Sequence, residues 1–453
     1  MQSSIPFYNV HDPSVCIPLE KVLRVNGTEG GYYIPQQIPS LPDSLIYKDP
    51  PPSFRDVAFE VFRSFLQDAI SESDLYTLIA RAFPFKVPVF PIDPRTYIVE
   101  LTHGDGGSYT DFGARFTALL IDYFCRHSEL PMHILFAGSE LETLSLAKAF
   151  SEFEDIHATF LYPKDDVQDM IKQQFISLPE NIHIFNVNGS LDDCKAIIAE
   201  ITEDADMSGS MELFIPHPAQ TTYLLSQVCC CLYAVLTVLS RAGYDNNIEQ
   251  PQLIIGTPLK QPNAVSAAVL AKEMGAPING FIATADFFCN DPQIDYEEEC
   301  TRVKMLYTQG NTEECIPEIA LFRLNQDSIV EAMRDCKERT GYVVSPDVAA
   351  VWHAWGAVRN GFTKTAIAET IENFCLHSGS LPGWLSDDSA VHSCITIIPE
   401  ISHPAFHSEM VRTATGIYPS VPHRFEYNQQ TADKPILECS SVQELKDWLL
   451  SLI

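Results

Sequence analysis

Residues 97–113 read Tyr97-Ile98-Val99-Glu100-Leu101-Thr102-His103-Gly104-Asp105-Gly106-Gly107-Ser108-Tyr109-Thr110-Asp111-Phe112-Gly113. Tyr97 to Leu101 is an apolar run of strand length. The glycines Gly104, Gly106 and Gly107 follow in a loop. From Asp111 to Arg126 the apolar residues Phe112, Phe116, Leu119, Leu120 and Tyr123 recur at helical spacing. A strand, a glycine-bearing loop and a helix form the repeating unit of an α/β fold. The loop falls beyond the carboxyl end of the strand, where the ligands of such sheets bind.

The same alternation continues outward. Ile134–Ala137, Thr159–Tyr162, Ile182–Phe185, Leu213–Ile215 and Leu253–Ile255 read as further strands, and Leu141–Phe153 as a helix. Strands this apolar are buried on both faces, which predicts a parallel sheet covered by helices. Ligand contacts are then expected in 102–111, 138–143, 216–223, 256–264 and 399–406. Upstream, Phe54–Ala69 has a helical apolar stripe, and Ser71-Glu72-Ser73-Asp74 opens a second helix with a capping pattern. Pro84, Pro88, Pro91 and Pro94 predict a connector between domains. Val442–Ile453 reads as a last amphipathic helix.

Lysine plus arginine number 29 against 60 for aspartate plus glutamate, giving a net charge of −31. So acidic a surface repels phosphate backbones and anionic lipid, which argues against nucleic-acid and membrane partners. Met1–Val10 lacks a signal-peptide pattern, and the apolar stretch Val228–Leu239 is too short to span a bilayer, so a cytoplasmic protein is expected. The thirteen cysteines are odd in number and without a Cys-x-x-Cys, which predicts neither a disulfide framework nor a zinc site. Cys229, Cys230 and Cys231 fit buried small hydrophobes on a helix. His403 and His407 stand four apart after Ser402, but with no third ligand nearby a capping or surface role is expected and no metal. No P-loop, G-x-G-x-x-G, H-E-x-x-H or G-x-S-x-G is present.

The order of several motifs resembles the threonine synthases. Tyr8-Asn9, Gly30-Gly31-Tyr32-Tyr33-Ile34-Pro35, Ala82-Phe83-Pro84 and Pro88-Val89 are similar to that family's amino-terminal signatures. The family then reads H-G-P-T-L-A-F-K-D-F-G, which aligns without a gap on His103–Gly113. The resemblance implies the tryptophan-synthase-β-like pyridoxal-phosphate fold type II, with two parallel-rich sheets flanked by helices. It also implies a small, mainly helical amino-terminal domain at residues 1–95 and an α/β region at 96–453. The smaller subdomain of that region is expected at roughly residues 130–250.

The resemblance fails where the family meets its ligands. Its cofactor lysine is Thr110, which has no amine for a Schiff base. Its S-G-D-T-G loop is Ser139-Glu140-Leu141-Glu142-Thr143. Its phosphate cradle S-G-N-F-G falls on Pro258, Leu259, Lys260, Gln261, Pro262, Asn263 and Ala264, without a glycine. N-S-I-N-x-x-R is His217-Pro218-Ala219-Gln220-Thr221-Thr222-Tyr223, and S-x-P-N-x-x-x-R ends at Cys315. E-P-H is Ser345-Pro346-Asp347, and the threonine that meets the cofactor ring is Ile401. No catalytic residue and no cofactor are therefore expected. The degenerate positions are Thr110, Leu259, Lys260, Gln261, Pro262, Asn263 and Ile401.

The expected function is a threonine-synthase-like protein without pyridoxal-phosphate-dependent activity, binding a small molecule or a protein partner as monomer or dimer. The alternatives are threonine synthase itself or altered chemistry in the same cleft. Polar residues for such chemistry are Asp105, Ser108, Tyr109, Asp111, Ser139, Glu140, Glu142, His217, Lys260, Asn263 and His403. Tyr109, Tyr223, Leu141, Leu259 and Ile401 are expected to reduce the volume of the cleft.

Overall fold

A computed structural model describes residues 5–23, 32–66, 69–126, 128–164, 168–218, 220–242, 251–259, 261, 263–286, 296–308, 319–359, 371–373, 383–385, 393–426, 435–439 and 441–452. Gly30, Gly31, Ala219, Lys260, Pro262 and Cys315 lie outside these described residues.

Fifteen strands form three sheets among the described residues. β1 (Phe7–Asn9), β2 (Cys16–Ile17) and β3 (Tyr33–Pro35) make a small antiparallel sheet. β4 (Val89–Asp93) and β5 (Thr96–Glu100) open the large sheet. β6 (Met132–Ala137), β7 (His157–Pro163), β8 (Ile182–Val187) and β9 (Glu212–Phe214) belong to a second α/β layer. β10 (Leu253–Pro258), β11 (Gly280–Asp286), β12 (Ile319–Leu324), β13 (Ile371–Asn373) and β14 (Ile395–Glu400) complete the large sheet. β15 (Leu437–Cys439) returns to the smaller one.

The large sheet runs β13-β12-β11-β10-β14-β5-β4, parallel from β12 to β5 with an antiparallel strand at each edge. The five-stranded sheet runs β15-β8-β7-β6-β9 and is parallel throughout. Its inner strands are buried along nearly their whole length, as strands covered on both faces must be. Leucine, isoleucine and phenylalanine at successive positions of β6, β7 and β8 serve both faces at once.

Three features differ from the sequence reading. The amino-terminal segment carries a sheet as well as helices, because strands of two or three residues are too short to show a period of two. The proline-rich stretch is not only a connector. Val89–Asp93 pairs with β5 as an edge strand, where Pro91 has no ladder bond to lose, and a register shift falls between Pro91 and Asp93. The apolar run around 228–239 lies in a 21-residue helix, Thr221–Arg241, longer than expected. That helix is long and apolar enough to cross a membrane, yet 89 % of its most apolar window is buried inside the protein. It is a helix of the core, and Cys229 and Cys230 are buried on it.

Arg115 and Thr221 are among the side chains that tie the amino-terminal segment to the rest. Arg115, on helix Thr110–Cys125, donates to the carbonyls of Ala82 (2.9 Å) and Arg81 (3.1 Å) and to the carboxylates of Asp105 (2.7 Å) and Glu152 (2.8 Å). Thr221 Oγ1 donates to Tyr33 O at 2.9 Å.

Candidate functional site

The loop after β5 is built around Asp111. The Gly106 amide donates to both of its oxygens, at 3.0 and 3.1 Å, and the Ser108 amide to Oδ2 at 3.3 Å. This close approach explains two glycines. A Cβ on Gly104 would sit 2.4 Å from Asp111 Oδ2, and one on Gly106 2.6 Å from Oδ1. Burial pushes the Asp111 carboxyl up to about 6, against the hydrogen bonds from Ser145, Ser108 and Gly106 that favour its charge.

Thr110 opens the following helix and is 2 % exposed. Its Oγ1 lies 3.0 Å from Ser108 Oγ and 2.8 Å from Ser145 Oγ, and its amide donates to Ser108 Oγ. The side chain is thus one member of a buried hydroxyl cluster at the wall of a cavity.

That cavity measures about 250 Å³ and lies beyond the ends of β5 and β6. Ser108, Thr110, Ser139, Glu140, Leu141, Glu142, His217 and Gln261 line it together, as the strand-end reading predicts. It falls just short of the roughly 300–1,000 Å³ of ordinary small-molecule pockets. Of the five residues expected to reduce its volume, only Leu141 faces this cavity. Tyr109 and Ile401 line a separate apolar cavity of about 40 Å³, and Tyr223 and Leu259 are packed in the core. The cleft beside Thr110 is thus open but small, and four of the five large side chains named for it turn into the layers beneath.

Several polar residues have local partners. Ser139 and Glu142 form a capping box at the start of helix Glu140–Phe150, with Ser139 N donating to Glu142 Oε2 at 2.9 Å. Glu140 accepts from the Gln168 amide and side chain at 2.8 and 2.7 Å. Burial lowers the His217 imidazole to about 4, with the charges of Lys195 and Arg302 adding to the effect, so the ring is neutral at pH 7. Asp105 turns away from the cleft to Arg115. His403 also lies elsewhere. Its Nδ1 accepts from Ala405 N at 3.1 Å, a capping role, and it faces a different cavity with Glu100, Glu400 and Tyr342.

Two contributions escape the sequence reading. Lys195, from helix Leu191–Thr202, reaches the same cavity as Thr110 and has no ion pair or hydrogen bond among the described residues. Ser145 supplies a hydroxyl from the middle of helix Glu140–Phe150. Both sit inside helices, away from the strand ends where ligand contacts are expected.

The phosphate-cradle segment is rebuilt. Asn263 adopts a left-handed φ of 65° ahead of helix Ala264–Glu273, a conformation asparagine tolerates better than most residues. Its Nδ2 donates to Pro218 O at 2.8 Å. Leu259 N donates to Thr284 O at 2.8 Å, which closes the loop against β11.

Layers, strand order and cleft together define a protein of the pyridoxal-phosphate fold type II. Residues 19–83 match the model of the threonine synthase amino terminus. The threonine synthase of Buchnera aphidicola subsp. Baizongia pistaciae is 27 % identical over 281 residues, 62 % of this chain and 64 % of that protein. The match thus spans under two thirds of that relative's length. The crystal structure of Escherichia coli threonine synthase superposes with a TM-score of 0.76 at 20 % identity, covering 99 % of this chain and 100 % of the other. A Brucella melitensis threonine synthase, solved with pyridoxal phosphate bound, gives a TM-score of 0.75 at 16 % identity over 99 % of both chains. The chain is similar to the threonine synthases in sequence and shares their fold. These comparisons overturn the expectation of no cofactor, since the relative solved with a ligand holds pyridoxal phosphate. The expectation rested on the changes at Thr110, at 258–264 and at Ile401 together, but each removes one attachment of a cofactor and the fold keeps a cleft beside them.

Proposed function

We propose that this chain is a cytoplasmic, threonine-synthase-like binding protein whose cleft accepts pyridoxal phosphate or a similar small anion without forming a Schiff base. The observation that carries this reading is Thr110. It stands where an amine is needed, and its hydroxyl is held between Ser108 and Ser145 at the wall of the open cavity. When bound, pyridoxal phosphate supplies an electron sink for amino-acid chemistry. In this chain Ser108, Thr110, Ser139 and Gln261 would orient a ligand by hydrogen bonds. Lys195 would balance negative charge, and neutral His217 would donate or accept one proton.

One specific observation favours a second reading, an enzyme with altered chemistry or a retained threonine synthase. The amine of Lys195 lies on the same cavity and is unpaired among the described residues. Expression in a threonine auxotroph separates the two. The binding-protein reading predicts no growth without threonine. Growth that Lys195→Met abolishes would establish the enzyme instead.

A further inference from the structure

Strands β5 and β14 are parallel neighbours, and their register sets Glu100 directly beside Glu400. Side chains alternate along a strand. The two carboxylates therefore share the face opposite the one on which Val99, Leu101 and Ile401 line the apolar cavity. Like charges side by side on neighbouring strands repel, and burial strengthens the repulsion. Glu400 is 2 % exposed.

The Tyr342 hydroxyl lies between the pair, 2.8 Å from Glu100 Oε1 and 3.1 Å from Glu400 Oε2. A phenol has a single hydrogen to donate, so it satisfies one carboxylate at a time. Glu100 Oε2 lies 2.6 Å from His103 Nε2. Glu400 Oε1 is buried and has no hydrogen-bond partner among the described residues. Burial, then the charge of Glu100, raises the Glu400 carboxyl to about 8, against the Tyr342 hydroxyl and the Ser345 amide, with Asp347 adding to the rise. Glu400 thus keeps a proton at pH 7 where a cation would serve as well.

The pair faces a cavity of about 530 Å³, which is separate from the one beside Thr110 and of ordinary small-molecule size. Its lining has two parts. Glu100, Glu400 and Tyr342 supply acceptors, whereas Ile417, Tyr418, Pro419 and Pro422 supply an apolar wall. Ile417 and Tyr418 are exposed, so the apolar part forms the mouth. Burial first lowers the His403 imidazole to about 4, so that ring brings no charge at pH 7. Arg424, on the same wall, donates to the Thr102 carbonyl and lies over the Phe425 ring. Among the described residues no three His, Cys, Asp or Glu side chains could hold a metal ion. The cation that suits this wall is an organic one with its own N–H donors and an apolar body.

We propose that this cavity binds the primary ammonium group of a small organic amine between Glu100 and Glu400, with the alkyl body of the amine against Ile417 and Tyr418. The three N–H groups of the ammonium meet Glu400 Oε1, Glu100 and the Tyr342 oxygen. The ammonium replaces the proton on Glu400, which passes to solvent. The inference concerns this cavity alone and is independent of what the cleft beside Thr110 binds.

The test uses the full chain at pH 7 and titration calorimetry with n-butylammonium chloride as the probe. Binding should release a proton, read as a binding heat that changes with the ionisation enthalpy of the buffer. Butan-1-ol, with the same body and no charge, and tetramethylammonium, with the charge and no N–H donor, should each bind at least about tenfold more weakly. Glu400→Gln keeps the shape and removes the charge. It should weaken butylammonium about tenfold or more, the factor that one charge-assisted hydrogen bond corresponds to. Tyr418→Ala, at an exposed position, serves if Glu400→Gln does not fold. It should weaken butylammonium and leave methylammonium unchanged. The proposal is overturned if butylammonium does not bind, if it binds without proton release, or if either control binds as tightly. Unchanged butylammonium affinity in folded Glu400→Gln, or in Tyr418→Ala, also overturns it.

Discussion

Replacing Asp111 by asparagine should remove a pH dependence of stability that runs opposite to the one a carboxylate usually contributes. The Asp111 carboxyl is raised from 3.8 in the unfolded chain to about 6 in the folded protein, first by burial. Because the folded-state value is the higher one, its contribution is fully present below pH 4 and is lost as pH rises through 6. The shift of about two units corresponds to roughly 3 kcal/mol between the two limits. About half of that, ~1.4 kcal/mol, falls between pH 5 and pH 8 when the titration is integrated over the two values. Asparagine has the same size and does not ionise. One of its two polar atoms is a donor, so part of the bonding from Gly106 and Ser108 is lost and the variant carries a constant offset of about 1–3 kcal/mol. The pH-dependent part is independent of that offset. Urea unfolding of both proteins at pH 5 and pH 8 therefore isolates it, since other titrating groups are common to the pair. The parent should lose about 1.4 kcal/mol more than Asp111→Asn over this range. Equal losses in the two proteins would refute the assignment of a buried, proton-holding carboxyl to Asp111.

Other predictions follow from single contacts. A Cβ on Gly113 would lie 2.2 Å from Cδ1 of the buried Tyr223 ring, so Gly113→Ala should cost about 1–3 kcal/mol in urea unfolding, as overpacked cores do. An unchanged midpoint would show that the ring moves freely. Ser139→Ala removes the capping box of helix Glu140–Phe150 and should cost about 1 kcal/mol, and the Ser139→Asp variant should restore most of it in the same assay.

Much of the fold is legible in the chain because burial on both faces leaves a strong mark. The runs at 134–137, 159–162 and 182–185 fall within observed strands, and Asp111–Arg126 is displaced by one residue from the observed Thr110–Cys125. The three-residue strand Tyr33–Pro35 is not legible, since its pairing with Phe7–Asn9 is fixed by tertiary contact and not by pattern. In the site, Thr110 is readable because its matched flanks fix the register. Ser108, Ser139, Glu140, Glu142, His217 and Gln261 are readable because strand ends converge. Lys195 and Ser145 are not readable. They reach the site from helix interiors, and nothing in the local sequence of 191–202 or 140–150 reports which face will meet a cleft. The openness of the cleft was also hidden, because the direction taken by Tyr109, Tyr223 and Ile401 depends on the layers beneath them. The expectation of no cofactor failed for a different reason: it treated changes at the family's ligand-facing positions as loss of the ligand, although the cleft that those positions border is retained.

Borohydride reduction of the full chain equilibrated with pyridoxal phosphate, followed by peptide mass mapping, asks most directly whether Thr110 has removed the Schiff base from the cleft. Binding without an imine predicts that pyridoxal phosphate leaves on dialysis and that no stoichiometric adduct forms on a lysine facing the cavity, Lys195 included. A stoichiometric reduced adduct mapped to Lys195 would contradict the binding-protein reading and establish a displaced catalytic amine.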